Sequence, residues 1–184
     1  DVCSSDLALT VSAKALTITV NDQTQTYGAG NTFTAGYSWD ALVTGDTVTA
    51  TLETLDATTS SSGNWNAGNW TISVLSTGGA DAANYDLTTT ATGALTVSAK
   101  ALTITGVTAN DREYNGTTTA TVNFTNASLS GVVGTDDVTV DTGSATASFA
   151  NKNVATNKAV TVSGLTLSRD RKSTRLNSSH ITIS

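Results

Sequence analysis

The chain has 184 residues, a formal net charge of −6, a single cysteine and no proline or methionine. One cysteine cannot build a disulfide framework or a thiolate zinc site. An acidic, lysine-poor surface does not favour nucleic acid, because binding there depends on neutralising phosphates. No apolar run approaches the ~18 residues that a membrane-spanning helix needs. The richness in threonine, valine and glycine instead favours strands, because β-branched side chains fit a pleated sheet.

Apolar residues alternate with polar ones along the chain, and this period-two pattern predicts half-buried strands. In the first half the inward-facing sets are Leu16, Ile18 and Val20; Val48, Ala50 and Leu52; Trp70, Ile72 and Val74; Leu95 and Val97. In the second half they are Ala120, Val122 and Phe124; Val138 and Val140; Ala145, Ala147 and Phe149; Val160, Val162, Leu165 and Leu167. The sequence therefore predicts an all-β fold of small β-sandwich or β-roll modules, Ig-like or β-grasp-like.

A verbatim internal repeat sets the period of the chain. Ala8–Thr19 and Ala94–Thr105 both read ALTVSAKALTIT, so the offset from residue 8 to residue 94 is 86 residues, the size of a small domain. We interpret KALTIT as the beginning of each module and LTVSA as the last strand of the module before it. The sequence thus predicts two tandem modules in an elongated array, joined with almost no linker.

The repeat fixes the predicted boundaries. Residues 8–13 are the end of a preceding repeat, residues 14–99 form the first β module, and residues 100–168 form a second β module that is truncated at its C-terminal end. Connections this short, without glycine, restrict the swing between neighbouring modules.

The two ends of the chain differ from its middle in composition. Residues 1–7 and 169–184, read back into codons, resemble the two ends of a short-read sequencing adapter. We therefore predict that both ends are adapter-derived and not native, and we exclude them from the fold. Because Cys3 and His180 lie in these ends, no thiol or imidazole catalysis is expected.

Each module resembles a known family of repeats. The first contains KALTITVNDQTQTYGAG, AGNW and AANYDL, and is similar to the MBG domain of the YGX type; its signature turn is Tyr27-Gly28. The second contains KALTITGVTANDREYNGTTTATV and LSGVVGTDDVTV, and resembles the YDG domain. Its signature is Tyr114-Asn115-Gly116, with Asn115 where the family has aspartate. Both residue types favour a turn before glycine.

These families are repeats of secreted, filamentous-haemagglutinin-like bacterial adhesins. The resemblance implies a non-catalytic stalk segment at the bacterial cell surface that acts as an extended spacer and display scaffold. It implies neighbouring repeats of the same chain as partners, and no cofactor. We expect neither nucleic-acid binding nor membrane insertion.

The alternative function is direct binding of a host glycan or surface protein through exposed aromatic loops. Trp65 and Trp39 are the candidates, because an exposed aromatic ring can stack on a sugar. Trp70 is in phase with Ile72, which predicts a place in the core.

Acidic residues provide the remaining candidates for chemistry. Asp136, Asp137 and Asp141 cluster beside a predicted strand, and a glycosidase would need one such acid with a raised pKa. We favour turn and solvent-facing roles for them. The oxygen-rich stretches GTDDVTVD and GGADAANYD make calcium the alternative cofactor, but neither has the spacing of an EF-hand or nonapeptide calcium loop.

Overall fold

The computed structural model describes residues 9–169. The ends predicted to be adapter-derived, with Cys3 and His180, lie outside the described residues except for Arg169. The described part is all-β, as the alternation predicts, and its one helical element is a 3₁₀ turn, Ala82–Asn84. The chain divides into two compact units: residues 9–25, 31–57 and 67–98 form the first, and residues 26–30, 58–66 and 99–169 form the second.

Seven strands form the two sheets of the first unit. They are β1 (Lys14–Val20), β2 (Gln23–Thr26), β3 (Tyr37–Asp40), β4 (Thr49–Glu53), β5 (Gly68–Gly78), β6 (Tyr85–Ala91) and β7 (Gly93–Ser98). One sheet has the order β3-β1-β6 and the other the order β2-β7-β5-β4. β1 pairs with β3 in antiparallel fashion but with β6 in parallel, so that Lys14 lies opposite Tyr85. β7 pairs with β5 in antiparallel fashion, with Leu95 opposite Trp70.

The core of the first unit comes from the predicted inward-facing residues of both sheets. Ile18, Ile72 and Leu95 are each 0% exposed, while the threonines next to them in sequence are exposed or half-buried. Strand side chains alternate between the two faces of a sheet, so every second residue of β1 and β7 contributes to the core. Trp70 is half-buried on the same alternating set as Ile72.

Gln23, at the start of β2, is a buried polar residue that the alternation does not predict; it is 6% exposed. Its amide nitrogen donates to the carbonyl oxygen of Thr32 at 3.1 Å. Its amide oxygen accepts from the backbone N–H groups of Thr34 and Ala35, at 2.8 and 3.0 Å. One side chain therefore satisfies three backbone groups of a loop that contains no strand.

Replacing this amide with an apolar group of similar size is expected to destabilise the first unit. Gln23→Leu should lower its free energy of unfolding by about 2 kcal/mol, since the backbone groups of the loop lose their partner and only water can replace it. Amide hydrogen exchange in β2 and at residues 34 and 35 measures the loss. Thr24→Leu, at the exposed neighbouring position, is the control. An equal effect of both substitutions would contradict the role of the amide.

Eight shorter strands form the second unit. They are β8 (Thr103–Thr105), β9 (Thr108–Ala109), β10 (Val122–Asn123), β11 (Ser128–Ser130), β12 (Val138–Asp141), β13 (Thr146–Phe149), β14 (Val160–Ser163) and β15 (Thr166–Arg169). They pair in antiparallel fashion as β8 with β11, β9 with β10, β12 with β15 and β13 with β14. Ile104, Val162 and Leu165 are its buried cluster, and half-buried apolar residues surround them.

The two copies of KALTIT do not form equal strands. In the first copy β1 begins at Lys14, whereas in the second copy β8 begins only at Thr103. Ile104 is buried like Ile18, and Leu102 is half-buried. Identical residues therefore bury the same face but pair over different lengths, because the length of a strand depends on its neighbours.

Candidate functional site

The signature turn Tyr27-Gly28 lies in the second unit. Gly28 has a φ of +89°, a conformation that favours glycine, and the N–H of Ala29 closes the turn onto the Thr26 carbonyl at 3.1 Å. The half-buried Tyr27 hydroxyl is hydrogen-bonded to Ser60 Oγ at 2.6 Å and donates to the Asp136 carboxylate. We call Tyr27, Ser60, Ser61, Ser62 and Asp136 the Asp136 cluster.

The Asp136 carboxylate is held in its ionised form. Its Oδ1 accepts from the backbone N–H of Ser62 at 3.2 Å and from Ser61 Oγ at 3.3 Å. Partial burial raises the pKa of Asp136, but the hydrogen bonds from Tyr27, Ser62 and Ser61 stabilise the anion, and together they hold the pKa below its ordinary value. A glycosidase acid requires the opposite shift.

Asp137 and Asp141, the other two acids of the group predicted from the sequence, take no part in the Asp136 cluster. Asp137 is exposed, and Asp141 Oδ1 accepts from the backbone N–H of Gly143 at 2.8 Å, which is an Asx turn. Asp56, in the first unit, accepts from the N–H of Thr71 and from Thr54 Oγ1, and these bonds lower its pKa. Asp141 thus has the predicted turn role, and Asp137 has the predicted solvent-facing one.

Acid is expected to weaken the second unit through Asp136. Its folded-state pKa lies below the unfolded value of 3.8. Its contribution is therefore complete above that value and is lost as the pH falls through the folded-state pKa. The difference in unfolding free energy between the wild type and Asp136→Asn should be constant from pH 7 to 5 and should shrink progressively as the pH falls below 3.8. Urea unfolding at each pH measures it. Tyr27→Phe, which keeps the carboxylate, should remove part of the difference, and Asp137→Asn controls for net charge. A pH-independent difference would contradict the assignment.

The signature of the second family has a different environment. Asn115 Oδ1 accepts from the N–H and Oγ1 of Thr117, at 3.1 and 2.9 Å, and Gly116 has a φ of +77°. The predicted turn chemistry at Asn115-Gly116 is thus present. Tyr114 is 61% exposed, so it does not reproduce the half-buried position of Tyr27.

The two tryptophans that are the candidates for ligand stacking are buried or half-buried in the structure. Trp65 is only 7% exposed, so its ring does not present the open face that stacking requires. Trp39 is half-buried; its Nε1 donates to the Val48 carbonyl at 3.0 Å, and its ring meets Tyr37 edge-on at 5.6 Å. The turn-rich sequence around Trp65 does not predict this burial, because the burial of an aromatic side chain in a loop depends on contacts that are distant in sequence.

The side chains of Arg112 and Lys158 both lie over the Phe149 ring, and the sequence analysis does not predict this contact. The Arg112 guanidinium is 5.3 Å and the Lys158 ammonium 5.5 Å from the ring centroid, within cation–π range. Lys158 Nζ also donates to the carbonyl oxygens of Asn151 and Asn153, both at 2.6 Å, and so closes its own loop. The separation of Arg112 from Phe149 along the chain leaves no pattern from which the contact could be predicted.

A small pocket in the first unit has a volume of about 60 Å³ and is lined by Leu16, Trp39, Val48 and Tyr85, among others. The Tyr85 hydroxyl donates to Asp46 Oδ2 at 2.6 Å and accepts from the N–H of Val43. Burial and then the bond to Asp46 raise the pKa of Tyr85. Ligand pockets usually enclose about 300–1,000 Å³. This pocket can hold water but no sugar ring.

The described part of the chain contains neither an acidic, imidazole and thiolate cluster for a metal ion nor a membrane-spanning helix. Within residues 9–169, no group of three or more histidine, cysteine, aspartate or glutamate side chains is placed to hold a metal ion. Over the same residues, no helix has the length and apolar character needed to cross a membrane.

Comparison with known families gives two adjacent matches. Residues 16–96 match the family described as MBG domain (YGX type), and residues 98–173 match the family described as YDG domain. The two matches follow one another in the predicted order and confirm both resemblances. Neither a curated protein nor a solved structure gives a match.

Proposed function

We propose that this chain, which belongs to the MBG and YDG families of repeat domains found in adhesin-like surface proteins, is a non-catalytic spacer and display scaffold of a secreted bacterial surface adhesin. In this role the domains separate an adhesive part of the protein from the cell and transmit tension between them. The chemistry of binding then belongs to another part of the protein.

The pairing of β1 with β6 is the observation that carries the proposal. These strands are parallel, and they bring Lys14 opposite Tyr85 and Thr19 opposite Ala91. Only Thr92 separates β6 from β7, where the first unit ends at Ser98. Tension between the start of β1 and the end of β6 therefore pulls these two parallel strands past one another. The hydrogen bonds between β1 and β6 are then loaded together instead of one after another. Such a pair needs a higher force to separate, which suits a domain that carries tension.

The use of polar side chains supports the same role. The side chains of Gln23, Asp56, Asp136 and Lys158 each make hydrogen bonds to the backbone or side chains of neighbouring segments of the chain. None of these four side chains lines the small pocket beside Trp39 and Tyr85. These four polar side chains thus serve to hold the chain in its folded shape, as a rigid spacer requires.

Single-molecule pulling on the full chain tests the proposal. In a Cys3→Ser background, handles at Ala13→Cys and Thr92→Cys, directly before β1 and directly after β6, load the parallel pair along its length. Handles at Ala13→Cys and Asp40→Cys instead peel β1 from β3, because Thr17 lies opposite Asp40 at the end of that antiparallel pair. We expect a clearly higher unfolding force for the first pair of handles. Equal forces would count against a tension-bearing spacer.

Direct glycan or host-protein binding remains the competing function, and it has its own test. The purified chain is applied to a glycan array and to host-cell surfaces, beside Trp39→Ala. The spacer role predicts no binding above background by either chain. Binding by the wild type that Trp39→Ala abolishes would favour the aromatic-loop alternative.

A further inference from the structure

Asn115-Gly116 is the only place in the sequence where an asparagine is followed by a glycine. Both residues are exposed, and they lie outside the strands, in the connection from β9 to β10. The backbone nitrogen of the residue after an asparagine can attack the side-chain amide and close a five-membered ring, because the two groups belong to the same chain. A glycine in that place leaves the attacking nitrogen uncrowded.

Two donors polarise the side-chain amide of Asn115. Its Oδ1 accepts hydrogen bonds from Thr117, from the backbone N–H at 3.1 Å and from Oγ1 at 2.9 Å. Negative charge develops on this oxygen when a nucleophile adds to the side-chain carbonyl carbon. Donors about 2.7–3.1 Å from such an oxygen stabilise the transition state. The two bonds that close the turn therefore also favour attack on the amide.

Gly116 leaves room for this attack. A Cβ built on the residue would meet nothing within 4 Å, so no neighbouring segment crowds this side of the turn. Its φ of +77° lies in the region that favours glycine, and the residue can change conformation at little steric cost. The exposed turn can therefore rotate to bring the Gly116 nitrogen to the side-chain carbonyl carbon of Asn115.

Asn123 has the same donors without the same access. Its Oδ1 accepts from the N–H and Oγ1 of Thr125, at 2.8 and 2.6 Å. The residue that follows it is Phe124, whose side chain packs against the buried cluster of the second unit. Asn123 also belongs to β10, where it pairs with Thr108. Attack by the Phe124 nitrogen would require the backbone to rotate out of these contacts, so Asn123 is the internal control for Asn115.

We propose that Asn115 is a self-modifying site, which converts to aspartate or isoaspartate without an enzyme. The Gly116 nitrogen gives up its proton and bonds to the side-chain carbonyl carbon of Asn115. The bond from this carbon to the amide nitrogen breaks, and that nitrogen takes a proton and leaves as ammonia. One water molecule then opens the cyclic imide, giving aspartate at the side-chain carbonyl or isoaspartate at the backbone carbonyl. This assignment is independent of the spacer role.

An aspartate at position 115 fits the turn. A carboxylate oxygen accepts the Thr117 hydrogen bonds as the amide oxygen does, and charge strengthens them. The Arg112 guanidinium, which donates to the Thr117 carbonyl oxygen at 2.6 Å, places a positive charge beside the turn. The conversion also generates Tyr-Asp-Gly, the tripeptide of the family, from Tyr114-Asn115-Gly116. Isoaspartate instead adds one methylene group to the backbone of the turn.

Incubation of the purified full-length chain in mildly alkaline buffer tests the site, because the attacking nitrogen must lose its proton. A urea-unfolded sample sets the time, and peptide mass spectrometry measures the conversion at each asparagine. When half of the unfolded chain has reacted at Asn115, we expect the folded chain to have reacted to at least the same extent. Conversion at Asn115 should exceed that at Asn123 by roughly tenfold or more. An intact Asn115 in the folded chain at that time, or equal conversion of the two asparagines, would overturn the proposal.

Two variants assign the rate to the turn. Gly116→Ala should lower it roughly tenfold or more, because a Cβ crowds the attacking nitrogen. Thr117→Val keeps the shape of the side chain but removes the Oγ1 donor. It should lower the rate roughly threefold in the folded chain and leave it unchanged in urea, where the turn is absent. A folded Thr117→Val chain that reacts as fast as the wild type would refute the assignment.

Hydroxylamine tests the cyclic intermediate itself. It attacks the imide and should cleave the folded wild type between residues 115 and 116, whereas Gly116→Ala should resist. Loss of ammonia from Asn115 without cleavage by hydroxylamine would mean direct hydrolysis of the amide and would refute the ring closure.

Discussion

Leu95→Ala is expected to lower the free energy of unfolding of the first unit by about 3 kcal/mol, because it removes a fully buried side chain and leaves a cavity between the sheets. Leu95 is 0% exposed and lies opposite Trp70 in the middle of the four-stranded sheet. Amide hydrogen exchange in β5 reports the stability of this unit separately from the other. This substitution thus measures what the packing of β7 contributes to the stability of the first unit.

The chain provides its own control for this substitution. Leu9 has the same neighbours in sequence but is 86% exposed, so Leu9→Ala should change the free energy of unfolding by less than about 0.5 kcal/mol. A large effect of Leu9→Ala, or a small effect of Leu95→Ala, would contradict the difference in burial between the two leucines.

Gly106→Ala is expected to destabilise the second unit by about 3 kcal/mol. Gly106 has a φ of +77°, which alone costs an alanine roughly 1–2 kcal/mol. In addition, a Cβ at this position would lie 2.0 Å from the carbonyl oxygen of Asn126, a backbone atom that cannot rotate away. Hydrogen exchange in β8 and β11 measures the loss, because the glycine directly follows β8.

Gly116 separates the two causes of this effect. It has the same φ of +77°, but a Cβ there would meet nothing within 4 Å. Gly116→Ala should therefore cost only about 1 kcal/mol, from backbone strain alone. Asparagine tolerates a positive φ, so Gly116→Asn should be nearly neutral while Gly106→Asn stays as harmful as the alanine. Equal losses at the two glycines would contradict the steric explanation.

Much of the fold can be predicted from the alternation of the sequence. The predicted faces of β1, β5 and β7 are those the structure buries, since a two-residue period assigns each side chain to one side of a sheet. The turn at Asn115-Gly116 could be predicted for an equally local reason. At Gly164 the inward phase changes from Val162 to Leu165, and there the chain leaves β14 with a φ of +76° before β15 begins.

The contacts of the candidate site could not be predicted to the same extent. The Asp136 cluster joins residues far apart in sequence, and the sequence pattern gave no reason to pair Asp136 with Tyr27. Gln23 is buried because a neighbouring loop needs its amide, and Trp65 is buried although its sequence surroundings are rich in turn residues. Contacts between residues that are distant in sequence leave no periodic pattern from which they could be predicted.

The sequence by itself determined the all-β class, the inward-facing residues and the order of the two repeat families, because each depends on local periodicity or on whole motifs. Only the tertiary structure decided that β1 and β6 run in parallel, and that the leucine and valine of LTVSA are buried as Leu95 and Val97 but exposed as Leu9 and Val11. A strand acquires its burial and its hydrogen bonds from the strands beside it, and identical letters with different neighbours therefore reach different states.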